Sequence, residues 1–110
     1  MEMTEIERMN TEYRYKEIAI KDINEFKKTG IYEVFSGKFI KDIKYRVTYF
    51  SIFIDVKISN RLTGNILNDI SERFNEMGYD DGYLKLNEHI ITFMSTFKKD
   101  KELKEVDKKW

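Results

Sequence analysis

Cysteine and proline are absent from this 110-residue sequence, and histidine occurs once. Without cysteine there can be no disulfide, thiolate nucleophile, iron–sulfur cluster or thiolate zinc site. His89 is the one imidazole, and no G-x-S-x-G elbow accompanies it, so a Ser–His hydrolase is not expected. Metal hydrolase and deaminase chemistry needs several His or Cys ligands, which this sequence does not supply. Phosphate loops are missing as well. Gly64 and Asn65 precede an expected helix with Arg61 nearby, but no Gly-rich run with a Lys-Ser or Lys-Thr behind it follows. The expectation is a protein with no catalytic residue, no cofactor and no metal. One carboxylate grouping stays open to a hard cation: Asp80 beside Asp81, with Glu76 and Glu72 on the preceding turns. The twelve-residue calcium-loop pattern is absent there, and a solvated helix end before an Asp-Gly turn is the simpler reading. A small carboxylate-dependent enzyme is therefore the least favoured of three functional readings.

Long hydrophobic runs are lacking too. The stretch Val47 to Ile58 is interrupted by Thr48, Ser51, Asp55 and Lys57 and falls short of the ~20 residues a spanning helix needs. The opening Met1-Glu2-Met3-Thr4-Glu5 lacks the basic and apolar regions of a signal peptide. A cytoplasmic protein without membrane association is expected. Nor is there an excess of charge of one sign, since 20 basic residues face 20 acidic ones. That balance argues against a dedicated backbone-gripping nucleic-acid binder. The signs are unevenly spread, with five basic against three acidic in 31–60 and three against six in 61–97.

What is present is core-forming. Fourteen Ile, eight Phe and seven Tyr supply enough apolar side chain for one core. A chain this short forms one domain, and its marginal burial makes a homodimer an expectation worth carrying. Phe, Tyr, Met, Ile, Asn and Lys make up 56 residues, whereas Gly, Ala, Arg and Pro make up 11. The first set has AT-rich codons, which points to an AT-rich genome such as that of a low-GC bacterium, its phage or a plasmid.

Periodicity predicts an α+β domain over 1–97, with about four antiparallel strands packed against helices. The predicted order is helix, strand, strand, helix, strand, strand. Residues 1–17 read as a partly ordered helix, with Ile6, Met9 and Tyr13 at helical spacing. From Ile18 the helix firms, with Ile20, Ile23 and Phe26 on one side and Gly30 as its stop. Ile31 to Ser36 reads as a strand. Ile43 to Ile58 reads as the longest strand, and its apolar phase flips near Tyr49–Ser51, which predicts a bulge or bend there. Asn65 can cap a helix with the stripe Ile66 (or Leu67), Ile70, Phe74 and Met77, closed by Gly78. Tyr79 to Gly82 reads as a turn before strands at Tyr83–Leu86 and Ile90–Phe97, reversed at Asn87-Glu88. The competing reading makes Glu88–Phe97 a helix.

Residues 98–110 form a charged extension in which Leu103, Val106 and Trp110 fall on one helical face. Isolated helices under ~12–15 residues are marginal in water, so this face matters only if it docks on protein. The favoured function is a non-enzymatic protein-binding module, of the kind a phage or plasmid encodes to inhibit or redirect a host protein, as in anti-defence. Its candidate contact residues are Asp69, Glu72, Glu76, Asp80 and Asp81 together with Leu103, Val106 and Trp110. The alternative is single-stranded nucleic-acid binding through Lys38, Lys41, Lys44, Arg46, Tyr45 and Tyr49. Alternation works against it, because Tyr45 and Tyr49 share a face with Ile43 and Val47, opposite Lys44 and Arg46.

Overall fold

The structure, a computed structural model, describes residues 4–59, 64–85 and 88–95, with the backbone alone for 83 and 84. In chain order it holds α1 (Glu5–Lys27), α2 (Gly30–Phe35), β1 (Ile40–Val47), β2 (Ile52–Ile58), α3 (Gly64–Glu76), β3 (Tyr79–Lys85) and β4 (Ile90–Ser95). The strands form one sheet in the order β1-β2-β4-β3, and every neighbouring pair is antiparallel. This is the α+β architecture that periodicity predicts, four strands with helices packed against them. Two of the four strands nevertheless lie elsewhere than expected.

The first departure is Ile31–Ser36, which is helix α2 and not a strand. Thr29 decides this. Its hydroxyl donates to Phe26 O at 2.7 Å, closing α1, and accepts from Tyr32 N at 3.3 Å, opening α2. The cap outweighs the β propensity of Ile, Tyr, Val and Phe, and Ile31, Tyr32 and Phe35 pack on the core at helical spacing. Gly30 therefore opens a helix, while α1 ends at Lys27. The second departure is Ile43–Ile58, which is not one strand. Thr48 and Ser51 close a two-residue turn at Tyr49–Phe50, and β1 and β2 pair across it from Val47–Ile52 to Ile40–Ile58. Thr48 Oγ1 accepts from Ser51 N at 3.1 Å and from Phe50 N at 3.4 Å, so a hydroxyl builds this turn without glycine. The apolar phase flips near Tyr49 because the chain reverses there. The bulges lie at Lys41 and Gly82, each the extra residue in its strand. Tyr79–Gly82, expected as a turn, is the first half of β3.

Helix α1 is continuous, which replaces the partly ordered segment expected before Ile18. Thr4 caps it, accepting from Glu7 N at 3.2 Å, and Glu5 and Glu7 sit in the first turn, where acidic groups suit the helix dipole. Its buried face runs through Thr11, Tyr15, Ala19, Asp22, Ile23 and Phe26, so Ile20 points outward and is not a core position. Both α1 and α3 cover the sheet face bearing Ile52, Ile54, Val56 and Phe93. The centre of this core is aromatic. Phe74 stacks on Phe26 and on Phe93, each at 4.5 Å between ring centroids, and meets Tyr79 edge-on at 6.2 Å. The expected stripe of α3 is present, with Ile70 and Phe74 buried and Ile66 and Met77 packed against the core. Gly78 takes the positive φ of 96° that ends the helix and turns the chain into β3.

Candidate functional site

At about 1.5 Å per residue the 23-residue α1 is about 34 Å long, whereas the eight residues of β1 span only about 26 Å. The helix overhangs the sheet at its N-terminal end. Residues 5–10 are exposed, and the first buried position is Thr11. Among Glu5, Glu7, Arg8 and Asn10 the overhang also carries exposed apolar side chains. Ile6, Met9 and Tyr13 are 71%, 63% and 62% exposed, and Ile20 continues their line farther along. At 3.6 residues per turn these four side chains fall within an arc of about 60°, on the side of the helix away from the sheet. The helix thus carries two apolar faces, one buried and one in water. A surface helix normally opposes its core face with charged and polar groups.

The turn between β1 and β2 supports the overhang. The Arg8 guanidinium lies over the Tyr49 ring at 5.0 Å, and Phe50 meets Tyr49 edge-on at 5.0 Å while staying 61% exposed. Strand β4 also ends here: Ser95 Oγ lies 2.8 Å from Ser51 Oγ, and Ile52 N donates to it at 3.4 Å. One end of the molecule therefore gathers Ile6, Met9, Tyr13, Tyr49 and Phe50 with the exit of the last described strand.

The opposite face of the sheet is uncovered among the described residues and is dominated by charge. By register it carries Asp42, Lys44 and Arg46 of β1, Phe53, Asp55 and Lys57 of β2, Ile90, Thr92 and Met94 of β4, and Asp80 and Lys85 of β3. At its centre Arg46 grips Asp55 through two bonds of 2.6 and 3.0 Å, and Thr92 donates to the same carboxylate at 2.7 Å. Burial pushes the Asp55 carboxyl up. The bonds from Arg46 and Thr92 and the charges of Arg46 and Lys85 outweigh it, so the group is held below the ordinary value of 3.8. Arg46 also lies over the Phe53 ring at 5.0 Å. At its centre this face therefore presents a neutralised ion pair.

The residues read as a nucleic-acid site are scattered. Lys44 and Arg46 lie on the open face, while Tyr45 turns to the covered face and packs on the core. Tyr49 sits at the hairpin tip, and Lys38 and Lys41 lie at the far end, where Lys41 Nζ donates to Gly37 O at 2.7 Å. The acidic set is brought to one edge but not to one surface. Asp69, Glu72 and Glu76 line the exposed side of α3, and Arg73 pairs with Glu76 at 3.4 Å. Asp80 pairs across to Met94 on the open face, whereas Asp81 pairs to Phe93 on the other. Leu103, Val106 and Trp110 lie outside the described residues. His89 is exposed in the β3–β4 turn with a positive φ of 53°, and among the described residues no three His, Cys, Asp or Glu converge on a metal position.

The outer stripe of α1 was the feature hardest to read from sequence. Ile6, Met9 and Tyr13 show helical spacing, but only the opposing set Thr11, Tyr15 and Ala19 reveals that they face water. No helix among the described residues is long and apolar enough to cross a membrane. Compared with known proteins, the chain matches no family model, no curated protein and no solved structure, so its chemistry has to be read from these surfaces.

Proposed function

We propose that the protein is a non-catalytic binding module for another protein, and that its contact surface is the outer stripe of α1 at the hairpin-tip end. The observation that carries this reading is the exposure of Ile6, Met9 and Tyr13 along one line of a capped helix, with Phe50 exposed at the same end. Burying an Ile or Met side chain gains about 1.5–3 kcal/mol. Methionine and aromatic side chains are also enriched in interface cores. Anchors at i, i+3 and i+7 are those of helical docking, so the expected partner element is an amphipathic helix or a groove that accepts one. The acidic line Asp69, Glu72 and Glu76 lies on a different helix and serves as a polar surface in this reading. A phage or plasmid origin, an inhibitory or regulatory role toward a host protein and a cytoplasmic setting belong to the same proposal. They are supported by a composition weighted toward residues with AT-rich codons and by the cysteine-free sequence.

Single-stranded nucleic acid fits less well, because Tyr45 faces the core and Arg46 is engaged by Asp55. The test is affinity capture from a lysate of the source organism or its host, with and without nuclease, comparing wild type with an Ile6→Asp/Met9→Asp double variant. Capture of a defined protein that survives nuclease and is lost in the double variant supports the reading. Capture unchanged by the double variant, or recovery of nucleic acid alone, overturns it.

A further inference from the structure

We infer that the outer stripe of α1 pairs with the same stripe of a second copy of this chain, the two helices running antiparallel about a two-fold axis at Tyr13. The inference rests on the binding reading above for its surface and names one occupant of it. A helix from another protein would compete with the second copy for the same side chains. The stripe has the spacing of a helix–helix seam: Ile6, Met9, Tyr13 and Ile20 fall at heptad positions, and Lys16 takes the one place between Tyr13 and Ile20. All four apolar side chains stay exposed among the described residues. They lie on the side of α1 away from the sheet, so two copies meet helix to helix with their sheets on the outside.

In a two-fold pair one patch must fit itself, and this helix is self-complementary in the antiparallel sense. With Tyr13 of both copies on the axis, Ile6 lies opposite Ile20 of the partner subunit, and residues 5–12 lie opposite residues 14–21. Residues 5–12 carry Glu5, Glu7 and Glu12 against Arg8, net −2, whereas residues 14–21 carry Arg14, Lys16 and Lys21 against Glu17, net +2. Antiparallel pairing sets these opposite charges together twice, and parallel pairing would set like against like. Lys16 of one copy also falls roughly 3 Å along the axis from Glu12 of the partner subunit, on the same flank of the stripe. The overhang gains a role in this arrangement. Residues 5–10 extend past their own sheet and lie against residues 16–21 of the partner subunit, a stretch that Ile18 and Ala19 anchor to its own core. The overlap of residues 5–21 is about 25 Å long and one helix wide. Such a contact lies near the lower bound of the ~1,200–2,000 Å² that stable complexes bury, so the dimer is expected to dissociate on dilution.

Sedimentation equilibrium of the full chain, from micromolar to near-millimolar concentration, reads the association. Wild type is expected to pass from monomer to dimer, and Ile6→Asp/Met9→Asp to stay monomeric throughout. Aspartate in the first turns suits the helix dipole, and neither Ile6 nor Met9 is buried, so the dilute thermal melt of that variant should match wild type. Cysteine reads the orientation, because the chain has none of its own. Facing positions at the axis fall within the ~4.4–6.8 Å between Cα atoms that a disulfide spans, so Tyr13→Cys is expected to cross-link to itself on mild oxidation. The two Ile6 positions lie about 21 Å apart in the antiparallel pair, so Ile6→Cys should cross-link only when mixed with Ile20→Cys. A wild type that stays monomeric, a dimer that survives Ile6→Asp/Met9→Asp, or self-cross-linking of Ile6→Cys overturns the inference. If wild type is monomeric while the double variant still loses partner capture, this inference falls and the binding reading stands. If the dimer forms as described while capture is unchanged by that variant, the reverse holds.

Discussion

Tyr79 Oη donates a 2.6 Å hydrogen bond to Asp22 Oδ2 in the interior, joining two residues 57 positions apart. It ties the middle of α1 to the start of β3, so the long helix is fixed to the sheet edge by a polar contact as well as by packing. Both residues are buried. Tyr79→Phe keeps the ring against Phe74 and removes only the hydroxyl. The expected loss is about 1–3 kcal/mol, the cost of taking one partner from a buried hydrogen bond. Urea denaturation checks it through a lowered midpoint at unchanged slope.

Phe74 is fully buried between the rings of Phe26 and Phe93, so it is the residue on which α1, α3 and the sheet converge. Phe74→Ala should cost about 3–5 kcal/mol, from lost transfer free energy and the cavity left behind. Phe74→Leu should cost clearly less. Denaturant melts of both variants against wild type measure this. Equal, small losses would place the ring outside the core.

Asp55 gives stability a pH signature. Its folded pKa lies below the ordinary value of 3.8, so its contribution is complete above that value and is lost as pH falls through the lowered folded one. Asp55→Asn removes the titration. The stability gap between wild type and Asp55→Asn should be widest near neutral pH and shrink below the ordinary aspartate range. A gap constant with pH from neutral down to strongly acidic solution would contradict the ion pair with Arg46.

Gly82 and Gly30 should respond oppositely to alanine. A Cβ on Gly82 would lie 2.7 Å from Thr92 O and 3.0 Å from Met94 Cγ, so the bulge in β3 needs a residue without a side chain. Gly82→Ala is expected to cost about 1–3 kcal/mol, the usual range for overpacking. A Cβ on Gly30 meets nothing within 4 Å, in the first turn of α2. Gly30→Ala should be neutral or raise the melting temperature, because it lowers the entropy of the unfolded chain.

The fold class and the α3 stripe were legible because they rest on periodicity over many residues. Phe74, Ile70 and Met77 could be placed from spacing alone. Individual strands were less legible where a short local device overrides composition. Thr29 turns a β-rich hexapeptide into α2, and Thr48 folds an apolar run back on itself without glycine or proline. The count of four strands survived because the strand lost at Ile31–Ser36 was replaced when Ile43–Ile58 became two. The candidate site was hidden for another reason. Ile6, Met9 and Tyr13 look like core residues in sequence, and only the burial of the opposite side of α1 shows that they face outward.

Hydrogen–deuterium exchange on the purified protein, with and without a captured partner, tests the contact surface most directly. The account requires added protection in the amides of residues 5–13 and of the 48–51 turn, with little change along α3 or β1. Protection concentrated on Asp69–Glu76 of α3, or on Lys44 and Arg46 of the open sheet face, with residues 5–13 unchanged, would contradict it.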